Sequence, residues 1–333
     1  MQIVQVNRRY RLKQSLGISG RCNMFRAANL IQPSHTVLVK TASSSSQCSL
    51  LPHECAVLDQ LHWIPGIPQV VWTGIESELD VIILEDPGKI LEDVFKSARR
   101  RLSMDTVVLS AEQLITCLQH IHSCSYIYST FSPQNILVQP ASPGQQATQI
   151  ILFNFSLAEL YRDLQTSIHV PFHCGLPFNE CLPPTAFSSM NYHQHNQLSR
   201  QDDLQSLAYL LVYLACGLLP WLDVKALSMH DILQWKQQGA IAEVCSTLPL
   251  PFTTFLHYMH ELPFTHKPHY SHILSLFQDL HVSATGSLSP PFLPTNVDPS
   301  DLSYWMDGAL LAPATPQKCL CDAPIPSPTP VKK

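Results

Sequence analysis

Apolar positions between residues 8 and 95 come in short alternating runs, at Tyr10–Leu16, Phe25–Leu30, Thr36–Lys40, Gln69–Thr73 and Val81–Leu84. A patch with helical spacing, Glu54–Leu61, interrupts them. This spacing predicts an antiparallel sheet carrying a single helix. From Met104 to His122 the residues Val107, Val108, Ala111, Leu114, Ile115, Leu118 and Ile121 recur with the 3.6-residue period of a helix. Further helical stretches are expected at Leu204–Leu219, Met229–Lys236, Pro251–Met259 and Tyr270–Asp279. The expected class is therefore α+β, a small β half followed by a larger helical half. The run Leu204–Leu219 is the longest apolar stretch but falls short of the ~18 to 20 clean residues of a membrane span. Asp202 and Asp203 suit a helix N-terminus, and Gly217 and Pro220 suit its end, so a buried core helix is expected there.

Composition changes this picture mainly at the C-terminus. Ten of the 27 prolines fall in the last 53 of the 333 residues, so residues 283–333 read as an extended, mostly disordered tail containing one apolar patch, Leu302–Leu311. Charged residues make up only 14% of the chain and the net charge is −5. The one basic run, Arg99-Arg100-Arg101, is too short for a nucleic-acid footprint, so neither nucleic acid nor membrane is expected as a partner. Eleven scattered cysteines and an N-terminus without an apolar leader point to a reducing compartment, cytoplasmic or nuclear. Cys319 and Cys321 form the only close pair and lack a second pair at zinc spacing. His193 and His195 stand in a polar stretch expected to be a solvated loop.

A β half followed by a helical half is the order of a protein kinase, and over residues 8 to 282 the chain resembles the casein kinase 1 family. The resemblance is carried, in order, by Leu91-Glu-Asp-Val-Phe95, Met104-Asp-Thr-Val-Val108, Ser199-Arg-Gln-Asp-Asp-Leu-Gln-Ser-Leu207, Leu219-Pro-Trp221 and Pro268-His-Tyr270. Ser189-Met190-Asn191 resembles the family's Ser-Ile-Asn. The resemblance implies a two-lobed protein kinase-like fold, with a small antiparallel β lobe and its one helix at about 8–86 and a larger α-helical lobe at about 87–282.

Phosphoryl transfer needs ATP positioning, magnesium ligands and a carboxylate that orients the accepting hydroxyl. The resemblance implies that Lys40, at the end of Thr36-Val-Leu-Val-Lys40, pairs with Glu54 and with nucleotide phosphates. Only Gly17 of the phosphate-covering glycines is kept, with Ser19 and Cys22 at the other two positions and Gly20 as a shifted substitute. The family's His-Arg-Asp-Ile-Lys-Pro-Asp-Asn aligns with Tyr128-Ser129-Thr130-Phe131-Ser132-Pro133-Gln134-Asn135. Thr130 thus stands where the proton-accepting Asp belongs, a change worth on the order of 10²–10⁴ in rate. Ser132 replaces the lysine that neutralises the transferring phosphoryl. Asp-Phe-Gly aligns with Asn154-Phe155-Ser156, so Asn135 and Asn154 offer a metal only neutral amide oxygens, which makes Mg²⁺ a doubtful ligand. Leu84, before Glu85-Asp86-Pro87, resembles the wall of an adenine pocket and equally suits a core strand. Asp203 is expected to N-cap the central helix and brace the catalytic loop.

Three losses among kept scaffold residues imply a pseudokinase that acts by binding or scaffolding, with the protein partners of an active casein kinase 1 as candidates and ATP as a ligand it still holds or has lost. The alternative is a serine/threonine protein kinase of weak or atypical activity that uses Lys40 and Asn135.

Overall fold

The computed structural model describes residues 5–19, 22–44, 49–86, 88–139, 148–177, 183–222 and 227–285. Gly20, Arg21, Pro87, Cys319, Cys321 and the patch Leu302–Leu311 lie outside the described residues. The first part of the chain forms β1 (Gln5–Val6), β2 (Tyr10–Ser19), β3 (Cys22–Asn29), β4 (Thr36–Ser43), helix α1 (Leu51–Leu61), β5 (Val70–Glu76) and β6 (Leu79–Glu85). The six strands make one antiparallel sheet in the order β1-β2-β3-β4-β6-β5. Alternation along β4 separates its side chains by face. Val37 and Val39 join Val6, Tyr10, Ala27, Val81 and Ile83 in a small cluster. Leu38 and Ala42 instead join the main core, together with Leu51, Val57, Leu58 and Leu61 of α1.

The chain then runs through β7 (Lys89–Ile90), α2 (Leu91–Ser97), α3 (Met104–Ser123), β8 (Tyr126–Ile127), a 3-10 turn at Pro133–Asn135, β9 (Ile136–Gln139), β10 (Gln149–Leu152) and β11 (Glu159–Leu160). It ends in α4 (Met190–His193), α5 (Arg200–Cys216), α6 (Met229–Gln237), α7 (Ala240–Ser246), α8 (Leu250–Glu261) and α9 (Tyr270–Thr285). The same core that contains Leu38 and α1 continues through α3 and α5 to Phe255 and Phe277. A mixed α/β architecture is therefore established, with the six-stranded antiparallel sheet and α1 preceding the other helices. The short α2, α4 and α7 were not predicted, because seven residues or fewer carry too little periodicity to register. Helix α9 extends three residues beyond the expected boundary at 282.

Helix α5 is the axis of the helical part. It is buried along nearly its whole length, as its run of apolar residues requires. No helix among the described residues is long and apolar enough to cross a membrane. The start of α5 corrects the expectation for Asp203: the N-cap is Ser199, and the capping box closes with Asp202, whose carboxylate accepts from the Ser199 N–H at 2.8 Å. Asp203, one residue further on, is thereby turned inward, free of the cap. At the other end, Gly217 takes φ +84° and its N–H bonds the Tyr213 carbonyl at 2.8 Å, ending the helix.

Two further expectations are corrected. His193 lies not in a solvated loop but buried in α4, 3.1 Å from the Nζ of buried Lys236, because α4 packs on α6. Burial and that ammonium push its pKa down to about 3. Six cysteines among the described residues are free thiols, but Cys174 is disulfide-bonded, which the scattered spacing did not predict.

A β-carbon on Gly217 would lie 2.6 Å from the Arg100 carbonyl oxygen, in a backbone conformation that already disfavours L side chains. Gly217→Ala is therefore expected to cost about 2–3 kcal/mol, read as a lower midpoint in urea unfolding at unchanged slope.

Candidate functional site

Lys40 shares the α1-facing side of β4 with Leu38 and Ala42, so period-2 alternation sends its four-carbon stem into the core. Glu54 sits in the first turn of α1 and shares the buried stripe of Leu51, Val57, Leu58 and Leu61. The two meet with Lys40 Nζ at 2.7 Å and 2.5 Å from the carboxylate oxygens, both side chains at most 2% exposed. Desolvation at such a site is costly unless the pair is further hydrogen-bonded, and it is. The Phe155 N–H donates to Glu54 Oε1 at 3.1 Å, and Lys40 Nζ donates to Asn154 Oδ1 at 3.0 Å.

The loop that follows β8 is set by Asp203. Its Oδ2 accepts from the Tyr128 N–H at 2.7 Å and from His122 Nε2 at 2.8 Å, and its Oδ1 accepts from the Ser129 N–H at 2.7 Å. Because a carboxylate only accepts, His122 donates to it from Nε2, and its Nδ1 is in hydrogen-bond contact with the Tyr270 hydroxyl. Anchored in this way, Ser129 is held at φ +62°, a left-handed turn that reverses the chain. Thr130 then points back into the protein, and its hydroxyl donates to the Asn154 carbonyl at 2.5 Å. Asn135, at the end of the 3-10 turn, donates from Nδ2 to the Thr130 carbonyl at 2.8 Å, while its Oδ1 accepts from Asn154 Nδ2 at 3.3 Å.

Lys40, Glu54, Thr130, Asn135 and Asn154 are thus brought into one continuous hydrogen-bonded cluster. Its formal charge is zero, since the only carboxylate, Glu54, is matched by Lys40. Asn154 presents its oxygen to an ammonium and its nitrogen to a second amide. Asn135 presents its oxygen to that amide nitrogen. Thr130, 9% exposed, donates its proton to a carbonyl rather than accepting one. The cluster holds positions by hydrogen bonding but contains no carboxylate available as a proton acceptor.

The remaining expected residues lie apart from it. Ser132 accepts from the Gln134 N–H at 3.3 Å and starts the 3-10 turn, a local role. Gly17 pairs with Met24, and Met24 pairs with Lys40, so Gly17 stands two strands away, roughly 10 Å across the sheet. It takes φ +101°, the left-handed region that glycine tolerates. Leu84 is fully buried in the main core. Among the described residues no group of three His, Cys, Asp or Glu side chains could hold a metal. Compared with models of known protein families, the chain matches none.

Sequence reasoning missed two groups. His53 of α1 reaches the Ala158 carbonyl at 2.7 Å, a second tie between α1 and the 154–158 segment. Glu159 of β11, paired to Ile127, lies near the carboxylates of Asp203 and Asp202, and burial together with those charges raises its pKa to about 7. Neither position carries a periodic or motif signal.

The buried pair gives one measurable consequence: Lys40→Met leaves Glu54 without its cation and is expected to cost about 3–5 kcal/mol in urea unfolding, with the double variant Lys40→Met/Glu54→Leu recovering most of it. Glu159 gives another. Its folded pKa lies above the ordinary 4.5, so the folded protein is penalised progressively as pH rises from about 4.5 to about 7. Glu159→Gln is expected to be neutral at pH 4 and stabilising by about 1–3 kcal/mol at pH 8, measured as the difference between unfolding curves at the two pH values.

Proposed function

We propose that this chain is a casein kinase 1-like pseudokinase: a two-lobed, protein kinase-like domain over about residues 8–282 that acts by binding protein partners rather than by transferring phosphate. The observation that carries this reading is the closed cluster around Asn154. Where a kinase needs an anionic metal ligand, Asn154 offers one amide oxygen, already in contact with Lys40 Nζ at 3.0 Å. Where a kinase needs a base, Thr130 gives its proton to the backbone. Supporting the same reading, Asp203 braces the Tyr128–Ser129 turn through two backbone hydrogen bonds and is itself held by His122, so the scaffold of the loop persists without its carboxylate.

A phosphate would have to compete for Lys40 Nζ, whose donors already go to Glu54 and Asn154 in a dry environment. ATP is therefore a weak ligand in this reading, and Mg²⁺ adds little to it. Protein partners, including those of an active casein kinase 1, are the proposed binding class.

The test is thermal unfolding of the full chain with ATP at several concentrations, with and without Mg²⁺, in parallel with a phosphotransfer assay. A ligand at 100 times its Kd stabilises by about 2.7 kcal/mol, an easily read shift. The expected outcome is no Mg²⁺-dependent shift at millimolar ATP and no phosphotransfer, and a Mg²⁺-dependent shift gained on Asn154→Asp. Robust phosphotransfer that disappears with Lys40→Ala would overturn the proposal in favour of an active serine/threonine kinase.

A further inference from the structure

Strand β5 is the last strand of the sheet, so one of its edges has no neighbouring strand among the described residues. Its hairpin with β6 turns through Ser77 and Glu78, at φ +49° and +64°, and this two-residue turn makes Glu76 and Leu79 the closing hydrogen-bonded pair. Successive residues of an antiparallel ladder then bond inward and outward by turns. Gly74 therefore faces Val81 of β6, while the N–H and C=O groups of Thr73 and Ile75 point away from it and meet no backbone partner among the described residues. The Ile75 side chain is 69% exposed. Beside this edge lies a mostly apolar groove of about 620 Å³ between β5 and α1, with Cys55, Ala56 and Asp59 on the helix side and Val70, Thr73 and Ile75 on the strand side. An unpaired edge next to such a groove is a template for an added strand.

The tail supplies a segment that suits it. Leu302-Ser-Tyr-Trp-Met306, outside the described residues, places Leu302, Tyr304 and Met306 at alternate positions and carries no charge to meet Asp59 or Asp80 of the groove. Its aromatic residues favour strand pairing. The tether also reaches. Helix α9 starts with Tyr270 against His122, at the C-terminal end of α3, and packs back along α3, which puts Thr285 about 24 Å away toward the start of α3. The groove lies near that same C-terminal end of α3, because the Trp63 ring just past α1 meets the His120 ring at a centroid separation of 6.5 Å. The path from Thr285 to the groove is thus on the order of 35–40 Å, and residues 286–301 can span up to roughly 55 Å. A second copy of the chain fits less well by size: 12 residues line the groove, against roughly 20–30 a side in a stable dimer. A tethered segment needs less contact, since its effective concentration is on the order of millimolar.

We propose that Leu302–Met306 docks as an added strand on the free edge of β5, bonding the backbone of Thr73 and Ile75 and placing Leu302, Tyr304 and Met306 in the groove against α1. The inference rests on the sheet edge, the groove and the tether, and it stands even if the pseudokinase reading fails.

Amide hydrogen exchange in the full chain tests it, with the variant Leu302→Ser/Tyr304→Ser/Met306→Ser, which alters no described residue, as the comparison. Docking is expected to slow exchange at Thr73 and Ile75 by about tenfold or more in the parent, and the variant is expected to lose that protection. The Gly74 amide, turned toward β6, is expected to stay protected in both. Ala56→Glu, at an exposed helix position lining the groove, is expected to reduce the protection of Thr73 and Ile75 as well. Exchange at Thr73 and Ile75 that is equal in the parent and the tail variant overturns the proposal. Protection that falls on dilution overturns it in favour of a second copy on the same edge.

Discussion

The buried carboxylate of Asp203 is the constraint on which the polar interior depends. One side chain, on the axial helix α5, accepts two consecutive backbone N–H groups and an imidazole. Those bonds compensate a charge that otherwise has no place in an apolar core. They also fix a left-handed turn at Ser129, and that turn decides what the following residues face. Thr130 is directed to Asn154, and Asn135 is carried round to meet both. Asp203 can do this because Ser199 and Asp202 have already closed the helix start, leaving it with no capping duty.

A second principle governs the cluster that this turn helps to build. Buried ions are tolerated in pairs with satisfied hydrogen bonds, and Lys40 and Glu54 meet that condition through Asn154 and the Phe155 N–H. Amides suit such a place because each supplies both a donor and an acceptor, so Asn135 and Asn154 close the network without adding charge. The polar groups here serve specificity as much as stability. They set the register between the sheet, α1 and the segment after β10.

Much of this was legible in the residues themselves. The strands β2 to β6 and the helices α1, α3, α5, α6, α8 and α9 follow from apolar periodicity, since each is long enough to show its period. The meeting of Lys40 with Glu54 and of Asn135 with Asn154 was anticipated through the family resemblance rather than through pattern. Other features had no linear signal. Which of Asp202 and Asp203 caps α5 depends on where Ser199 falls relative to the first helical turn, and a pair of adjacent acids reads the same either way. The burial of His193 depends on Lys236, 43 residues away. Nothing in the sequence around Glu159 marks it, because its shift comes from burial and from the acids of α5, more than forty residues on.

Helix α1 is stitched to the 154–158 segment at three points: by its glutamate through the Phe155 amide, by the same glutamate through Lys40 and Asn154, and by His53 through the Ala158 carbonyl. Separating the sheet from the helices would strip an ion pair of its partners in a space that water does not reach. The interface therefore behaves as a weld where a hinge would need slack, and heat has no cheap place to begin. The β and helical parts should yield together, in one calorimetric step, with the amide hydrogen of Phe155 exchanging only when the whole molecule opens.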